Sequence, residues 1–201
     1  MGEPAPEPYV SYAEYVAREE KSSTKHEWLN GVIRDMSGGT SEHAFGGTPE
    51  HAGLTTTVSR LLGNQVEGKR CRVFSSDLKV RVLATNLGTY PDVSVVCGRL
   101  ERDPDSNTAV TNPTVLVEVL SDSTEAYDRG EKFAHYRRIP SLREYVLVGQ
   151  TKRLIEVYRK NEAGLWVLVA EAGAGEQAAL ESIGCVLNVD EVYVDPLAEP
   201  S

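Results

Sequence analysis

The stretch YPDVSVVCGRLERDPDSNTAVTNPTVLVEV, Tyr90–Val119, contains two short apolar runs, and each run carries an acid. The first run, Asp92–Cys97, opens with the acid of a Pro-Asp pair, and the second, Pro113–Leu120, holds Glu118 in its middle. Short apolar runs bounded by turn residues predict buried strands. An ionised carboxylate in a buried strand is costly unless a partner compensates its charge. Two such acids at the ends of neighbouring strands therefore predict a shared partner, and a divalent cation is the simplest candidate.

The length and composition are those of a single globular domain. The chain has 201 residues, of which 40% are hydrophobic and 25% are charged. We expect one domain over residues 11–195, with a disordered tail at 1–10 and a short tail at 196–201. No apolar run reaches the roughly 18 to 20 residues of a membrane span, and the N-terminus lacks the regions of a signal peptide.

The three cysteines, Cys71, Cys97 and Cys185, are far apart in sequence and form no CxxC pair. This pattern favours buried free thiols in a reducing cytoplasm over disulfides or a zinc site. The expected location is therefore cytoplasmic.

The formal net charge of −9 argues against non-specific nucleic-acid binding, which depends on a basic surface. Basic residues still cluster in two parts of the chain. Each cluster is either a solvated face or part of a local basic groove: Lys69, Arg70, Arg72, Lys79 and Arg81, then Arg129, Lys132, Arg137, Arg138 and Arg143.

The order of predicted elements indicates a mixed β-sheet with helices on its faces, an α/β or α+β fold. Helices are predicted at Ser11–Glu20, at Pro49–Gln65 and from Ser123 or Thr124 to before Pro140. A hairpin with an Asn30-Gly31 turn is predicted over Lys25–Met36. Further strands are predicted at Arg70–Phe74, Asp77–Leu83, Asp92–Cys97, Val115–Leu120, Glu144–Val148, Leu154–Tyr158 and Leu165–Ala170, with loops at Ser37–Pro49, Leu83–Tyr90 and Gly98–Asn112.

A Pro-Asp pair followed by an acid in an apolar strand resembles the PD-(D/E)XK nuclease superfamily. The segment EVLSDSTEAYDRGEKFAHYRRIPSLREYVLV, Glu118–Val148, resembles more closely the bacterial Uma family of restriction endonucleases. The upstream words E-x-x-x-G, at Glu27–Gly31, and H-x-x-L, at His51–Leu54, extend the resemblance over nearly the whole chain. It implies a restriction-endonuclease-like fold and a DNA endonuclease that depends on Mg²⁺ or Mn²⁺.

The chemistry of phosphodiester hydrolysis suits the two acids of the opening stretch. Magnesium is usually held by one or two carboxylates together with water and phosphate oxygens. Asp92 and Glu118 are the candidate carboxylate ligands, and the carbonyl of Val119 could add a third oxygen. The alternative for Asp92 is a turn residue that bonds its own backbone, and the alternative for Glu118 is an exposed strand face.

The lysine of the superfamily pattern is absent from its usual place, because position 120 is Leu120. The resemblance implies that Lys132 of the next helix substitutes for it. Lys132 lies off the apolar arc of that helix, and Asp128 four residues earlier makes an ordinary helical ion pair an alternative. Lys79 is the competing lysine.

Four further residues are candidates for the site. Glu27 is implied as a third acid, or else it is a solvent-facing hairpin residue. His51 could contact substrate or orient an acid, or it could be structural. Tyr136 lines the same cleft or packs in the core, and Arg137 contacts phosphate or stabilises the end of its helix.

Three functions remain open at this point. The first is a magnesium-dependent DNA endonuclease, for which two sites in a homodimer would cut both strands. The second is a catalytically inactive nucleic-acid or protein interaction module, because position 120 lacks a lysine and the chain is acidic. The third is a metal-dependent hydrolase of small phosphorylated substrates, which the acidic charge would suit.

Overall fold

The computed structural model describes residues 8–36, 48–195 and 197. Its helices are α1 (Tyr12–Glu19), α2 (Pro49–Val66), α3 (Glu125–Tyr127), α4 (Phe133–Tyr136) and α5 (Val189–Val192), with a π-helical turn at Asp128–Lys132. Its strands are β1 (His26–Leu29), β2 (Val32–Asp35), β3 (Cys71–Ser75), β4 (Lys79–Val82), β5 (Leu87–Thr89), β6 (Val93–Cys97), β7 (Arg102–Asp103), β8 (Ser106–Val110), β9 (Val115–Leu120), β10 (Glu144–Gly149), β11 (Ile155–Lys160), β12 (Trp166–Ala172), β13 (Gln177–Leu180) and β14 (Cys185–Asn188).

The strands of the described residues form two six-stranded mixed sheets and a separate hairpin, β13–β14. The first sheet has the order β2-β1-β5-β4-β8-β7, and the second has the order β12-β11-β10-β9-β6-β3. In the second sheet β9 and β10 are parallel, and the segment from α3 to α4 connects them. The fold is therefore mixed α+β, as the order of predicted elements indicated.

The helix cap and the hairpin turn predicted near the N-terminus are both present in the structure. Ser11 and Glu14 form a capping box at the start of α1. Asn30 and Gly31 connect β1 to β2 with φ angles of 48° and 93°. Gly31 is required there, because a Cβ at this position would also lie 2.1 Å from the ring of Tyr9.

Two segments predicted as loops contain strands, and those predictions were wrong. Residues 83–90 contain β5, and residues 98–112 contain β7 and β8. The β8 sequence SNTAV has few apolar residues, so its pattern gave no strand signal. Its pairing with β4 of the first sheet supplies the backbone hydrogen bonds that stabilise it. The single predicted sheet is consequently two sheets.

The second sheet is covered on both faces. Alternate residues of β9 point to opposite sides, so Val115, Val117 and Val119 face α2, the β13–β14 hairpin and α5. Leu116 and Leu120 face α4 and the first sheet. Glu118 lies between these two leucines and shares their face. The sheet therefore places this acid inside the protein.

The prediction of three free thiols was wrong for two of them. Strands β3 and β6 are antiparallel, and their register places Cys71 opposite Cys97 with Cα atoms 4.0 Å apart. The two sulfurs form a disulfide, whereas Cys185 is buried and free. This disulfide could not be predicted from the sequence, because the two cysteines are far apart in the chain and only the register of the sheet brings them together.

The predicted tails and the loop at residues 37–49 fall largely outside the described residues, which omit 1–7, 37–47, 196 and 198–201. Val10 is buried, and its N–H donates a hydrogen bond to the carbonyl of Gly31. In the described part of the chain, no helix combines the length and the apolar character needed to span a membrane.

Candidate functional site

The two acids of the opening stretch lie side by side. Strands β6 and β9 are antiparallel neighbours with Val93 opposite Val117, so Asp92, directly before β6, lies beside Glu118. The N–H of Asp92 donates to Glu118 Oε2 at 3.3 Å. The N–H of Val119 donates to Asp92 Oδ2 at 2.8 Å. The expectation that both acids meet at the ends of adjacent strands is met in this geometry.

Glu118 is almost completely buried, with 2% of its surface exposed. Its Oε1 is 2.9 Å from the Lys132 Nζ and accepts a hydrogen bond from the Tyr136 hydroxyl at 2.8 Å. Burial raises the pKa of Glu118 to about 8, and the nearby Asp128 and Asp92 reinforce this rise against the opposing effect of Lys132. The protein thus buries the carboxyl group of Glu118 close to two other acids, Asp92 and Asp128.

The π-helical turn explains how Lys132 reaches this acid. An α-helical projection of residues 124–139 places Lys132 away from the apolar arc. In the structure Asp128–Lys132 forms a wider π-helical turn between α3 and α4, and both end residues of the turn are buried. A π-helical turn changes the phase of the residues on either side of it, and such turns are common at functional sites. Phe133 and Tyr136 then pack into the core beside the lysine.

Lys132 has two carboxylate partners, Glu118 at 2.9 Å and Asp128 at 3.2 Å. Burial alone would lower the pKa of Lys132, but the charges of Glu118, Asp128 and Asp92 outweigh it and raise the pKa above its ordinary value. The ammonium is therefore retained at neutral pH.

The competing lysine lies elsewhere. Lys79 packs its ammonium over the rings of Tyr15, at 4.6 Å, and Tyr90, at 5.5 Å. Among the described residues it makes no ion pair with Asp92 or Glu118. Of the two candidate lysines, the fold brings only Lys132 into contact with Glu118.

Asp92, Glu118, Asp128 and Lys132 form a cluster of charged residues. His51, in the first turn of α2, reaches this cluster from the sheet face opposite to that of Glu118. Its Nε2 is 3.2 Å from Asp92 Oδ2. The hydrogen bond to Asp92 raises the pKa of His51 against the opposing effect of burial, and the backbone of Val119 adds to the rise. His51 is thus placed to orient Asp92, one of the three roles considered for it.

Glu27 is buried, with 4% of its surface exposed, and so does not face solvent as one alternative required. Its Oε1 accepts a hydrogen bond from the Tyr127 hydroxyl at the end of α3. Neither Asp92 nor Glu118 contacts Glu27 among the described hydrogen bonds and ion pairs. Glu27 is therefore connected through Tyr127 to the helical segment that carries Lys132.

The two remaining candidates differ in accessibility. Tyr136 is fully buried, and its hydroxyl holds Glu118. Arg137 is exposed, and its guanidinium stacks on the ring of Phe133 at 5.1 Å. Tyr136 thus positions an acid, while Arg137 faces solvent outside the cluster.

Two members of the site were not predicted, Asp128 and Tyr127. Asp128 is buried, with 3% of its surface exposed, and contacts Lys132. Its sequence signal was the D-R-G-E-K word, in which an acid precedes the lysine by four residues, but this spacing is equally typical of a solvated helical pair. No sequence pattern indicated that Tyr127 belongs to the site.

The cluster has the donors for an oxygen-bound metal that keeps part of its water. Glu118 and Asp128 contact the Lys132 ammonium, while Asp92 lies beside Glu118 and contacts His51. No three His, Cys, Asp or Glu side chains within residues 8–36, 48–195 and 197 are grouped to hold an ion by themselves. Asp92, Glu118 and the carbonyl of Val119 could therefore hold an oxygen-bound divalent ion only if water or phosphate oxygens complete its coordination shell.

Comparison with known proteins places this chain in a family. The Uma2 family, described as "Putative restriction endonuclease", matches residues 12–190. An uncharacterized protein of Synechocystis sp., slr1290, is 40% identical over 189 residues, which are 94% of each chain. A second one, sll1609, is 34% identical over 172 residues, covering 86% of this chain and 92% of its own.

A solved structure shares the fold. It is described as a "putative nuclease belonging to DUF820" from Anabaena variabilis, with a TM-score of 0.66 and 15% identity, over 86% of this chain and 91% of its own. At this identity the likeness concerns the fold alone. The family match spans nearly the whole domain, including both strands of the acid pair and the π-helical turn. The chain therefore belongs to the Uma2 family.

Proposed function

We propose that this protein is a magnesium- or manganese-dependent endonuclease that hydrolyses phosphodiester bonds in DNA. The observation that supports this most directly is the contact of Lys132 with Glu118 at 2.9 Å, beside Asp92 on the neighbouring strand. Two acids on neighbouring strand segments, together with a lysine from the π-helical turn, suit the hydrolysis of a charged phosphodiester. Membership of the Uma2 family, and the description of the structural relative as a "putative nuclease", support the same reaction.

In the proposed site Asp92 and Glu118 hold the metal ion, and the carbonyl of Val119 provides a third protein oxygen. When bound, the ion would neutralise phosphate charge and lower the pKa of a coordinated water. His51 orients Asp92 through the 3.2 Å contact, and Tyr136 orients Glu118 through its hydroxyl.

Lys132 acts as a cation in this proposal. Because its pKa is raised, the ammonium keeps its proton and does not serve as a general base. It stabilises developing negative charge on the phosphate or orients the attacking water. Arg137, which is exposed on α4's C-terminal side, is proposed to contact a phosphate of the DNA.

The direct test is cleavage of supercoiled plasmid and of labelled oligonucleotides with Mg²⁺ or Mn²⁺. We expect cleavage by the wild type and a loss of at least about 100-fold for Glu118→Gln and Asp92→Asn, since each removes a charged ligand. The matched control is Glu131→Gln, which changes an acid on the π-helical turn that carries Lys132 and whose side chain is 53% exposed. Equal cleavage by wild type and Glu118→Gln would refute the assignment of the site.

The alternative of an inactive interaction module gives a different result in the same experiment. DNA would bind without cleavage, and neither metal ion would change the melting temperature. Cleavage of small phosphorylated substrates without cleavage of DNA would instead support the small-substrate hydrolase.

A further inference from the structure

Asp128 stands out among the buried charges because its carboxylate is poorly satisfied. Its Oδ1 has no hydrogen-bond partner among the described residues, and its one ionic contact is Lys132 Nζ at 3.2 Å. A buried carboxylate without hydrogen bonds costs stability. Neither the opening acid pair nor the proposed metal ligands make use of this group.

The surrounding structure holds the π-helical turn firmly. The Tyr145 hydroxyl of β10 donates to the carbonyl of Asp128 at 3.0 Å. Arg129, the next residue, makes two hydrogen bonds to the carboxylate of Glu156 on β11, one of them at 2.8 Å. Contacts from two strands of the second sheet thus anchor the backbone of the π-helical turn that carries Asp128 and Lys132.

The carboxylate of Glu118 has two partners in the proposed function, a lysine and a metal ion. It pairs with Lys132 at 2.9 Å, and in the proposed function it is also a metal ligand. A lysine with Glu118 as its only partner would lose part of that pairing when a divalent cation competes for the same oxygens. Asp128 provides the ammonium with a second carboxylate that does not depend on Glu118.

We propose that Asp128 is a positioning residue, which holds the Lys132 ammonium at the acid pair whether or not a metal ion is present. The inference rests on the proposed function for its catalytic consequence, but the placement of Lys132 can be measured without catalysis. Asp128 acts through Lys132 and does not contact the substrate.

The kinetic test is a double-mutant cycle of Asp128→Asn and Lys132→Ala, with Glu131→Gln as the control. We expect Asp128→Asn to lower kcat by about tenfold to 100-fold while KM for DNA changes less than about twofold, because a misplaced group impairs the reaction more than the binding. In the Lys132→Ala background Asp128→Asn should have no further effect. An equal fall in kcat in both backgrounds would show that Asp128 acts independently of Lys132 and would overturn the proposal.

The second readout is the rate at which an amine-reactive acetylating reagent modifies Lys132, followed by mass spectrometry. The side chain is 6% exposed, so we expect slow modification in the wild type and in Glu131→Gln, and a rise of about tenfold or more in Asp128→Asn. Unchanged protection in Asp128→Asn would refute the positioning role even if the protein cleaves DNA. Lost protection in a protein that cleaves no DNA would support the positioning role and refute the proposed function. If Asp128→Asn does not fold, Asp128→Ser replaces it in both tests.

Discussion

The ammonium of Lys132 and the carboxylate of Glu118 meet at 2.9 Å inside the protein, one on a π-helical turn and the other at the centre of a six-stranded sheet. Both side chains are almost completely removed from solvent. This pair connects the crossover segment between two parallel strands to the acid on the first of them. Its removal should therefore affect stability as well as chemistry.

Substitution of Lys132 by methionine should destabilise the protein. Above the Glu118 pKa of about 8 the carboxylate then remains ionised and buried without its cation, and breaking a buried pair in this way typically costs about 3 to 5 kcal/mol. The cost should be smaller near pH 6 than near pH 9, because the isolated carboxyl can take up a proton at the lower pH. Urea unfolding at both pH values measures it, with the exposed Lys21→Met as the control. A loss no greater than that of Lys21→Met would contradict the buried-pair interpretation.

The stability of the metal-free protein should fall as the pH rises from about 5 to about 9. Glu118 has a folded-state pKa raised from 4.5 to about 8, so the folded state binds more protons than the unfolded state in this window. A group of this kind contributes stability that is complete below the unfolded pKa and is lost through the folded one.

For one titrating group, the unfolding free energy changes by at most about 1.4 kcal/mol per pH unit. Urea unfolding in the presence of a chelator should show a smaller decline for Glu118→Gln, which has no proton to lose. Parallel pH profiles for the wild type and Glu118→Gln would mean that Glu118 ionises normally.

Magnesium or manganese should stabilise the wild type in proportion to its affinity. An ion that binds only the folded state contributes about 2.7 kcal/mol at a concentration 100 times its Kd. Thermal unfolding over a range of metal concentrations measures this. The shift should disappear in Asp92→Asn and persist in Asp77→Asn, whose side chain is 83% exposed on the surface. A shift of the same size in Asp92→Asn would place the ion elsewhere.

The disulfide between Cys71 and Cys97 should leave one titratable thiol in the oxidised protein. Thiol titration of the unfolded, unreduced chain should detect Cys185 alone, and three thiols after reduction. The bridge closes a loop with a sequence separation of 26, and the loss of chain entropy in the unfolded state corresponds to about 3.5 kcal/mol of stability. The substitution of both cysteines by serine should lower the unfolding free energy by about this amount. Three thiols before reduction would instead support the reduced state expected from the sequence.

Local sequence determined the elements whose signals lie within a few residues. The Asn30-Gly31 turn and the capping box at Ser11 are set by backbone preferences of neighbouring residues, so they could be predicted without the fold. The same holds for β9, where a continuous apolar run identifies a buried strand and Glu118 is the one charged residue within it. The weakly apolar strand β8 could not be predicted, because it depends on pairing with β4.

The sequence by itself determined that Glu118 lies within a buried strand and Asp92 at the start of another, because a charge within or beside a short apolar run is visible in the sequence alone. Only the tertiary structure decided which lysine joins them, because Lys132 and Lys79 are equivalent until strand order and helix phase are known. The π-helical turn changes that phase, and it is stabilised by contacts with Tyr145 and Glu156, which come from distant strands. The pairing of Cys71 with Cys97 and the burial of Asp128 likewise follow from register and packing, which no local pattern encodes.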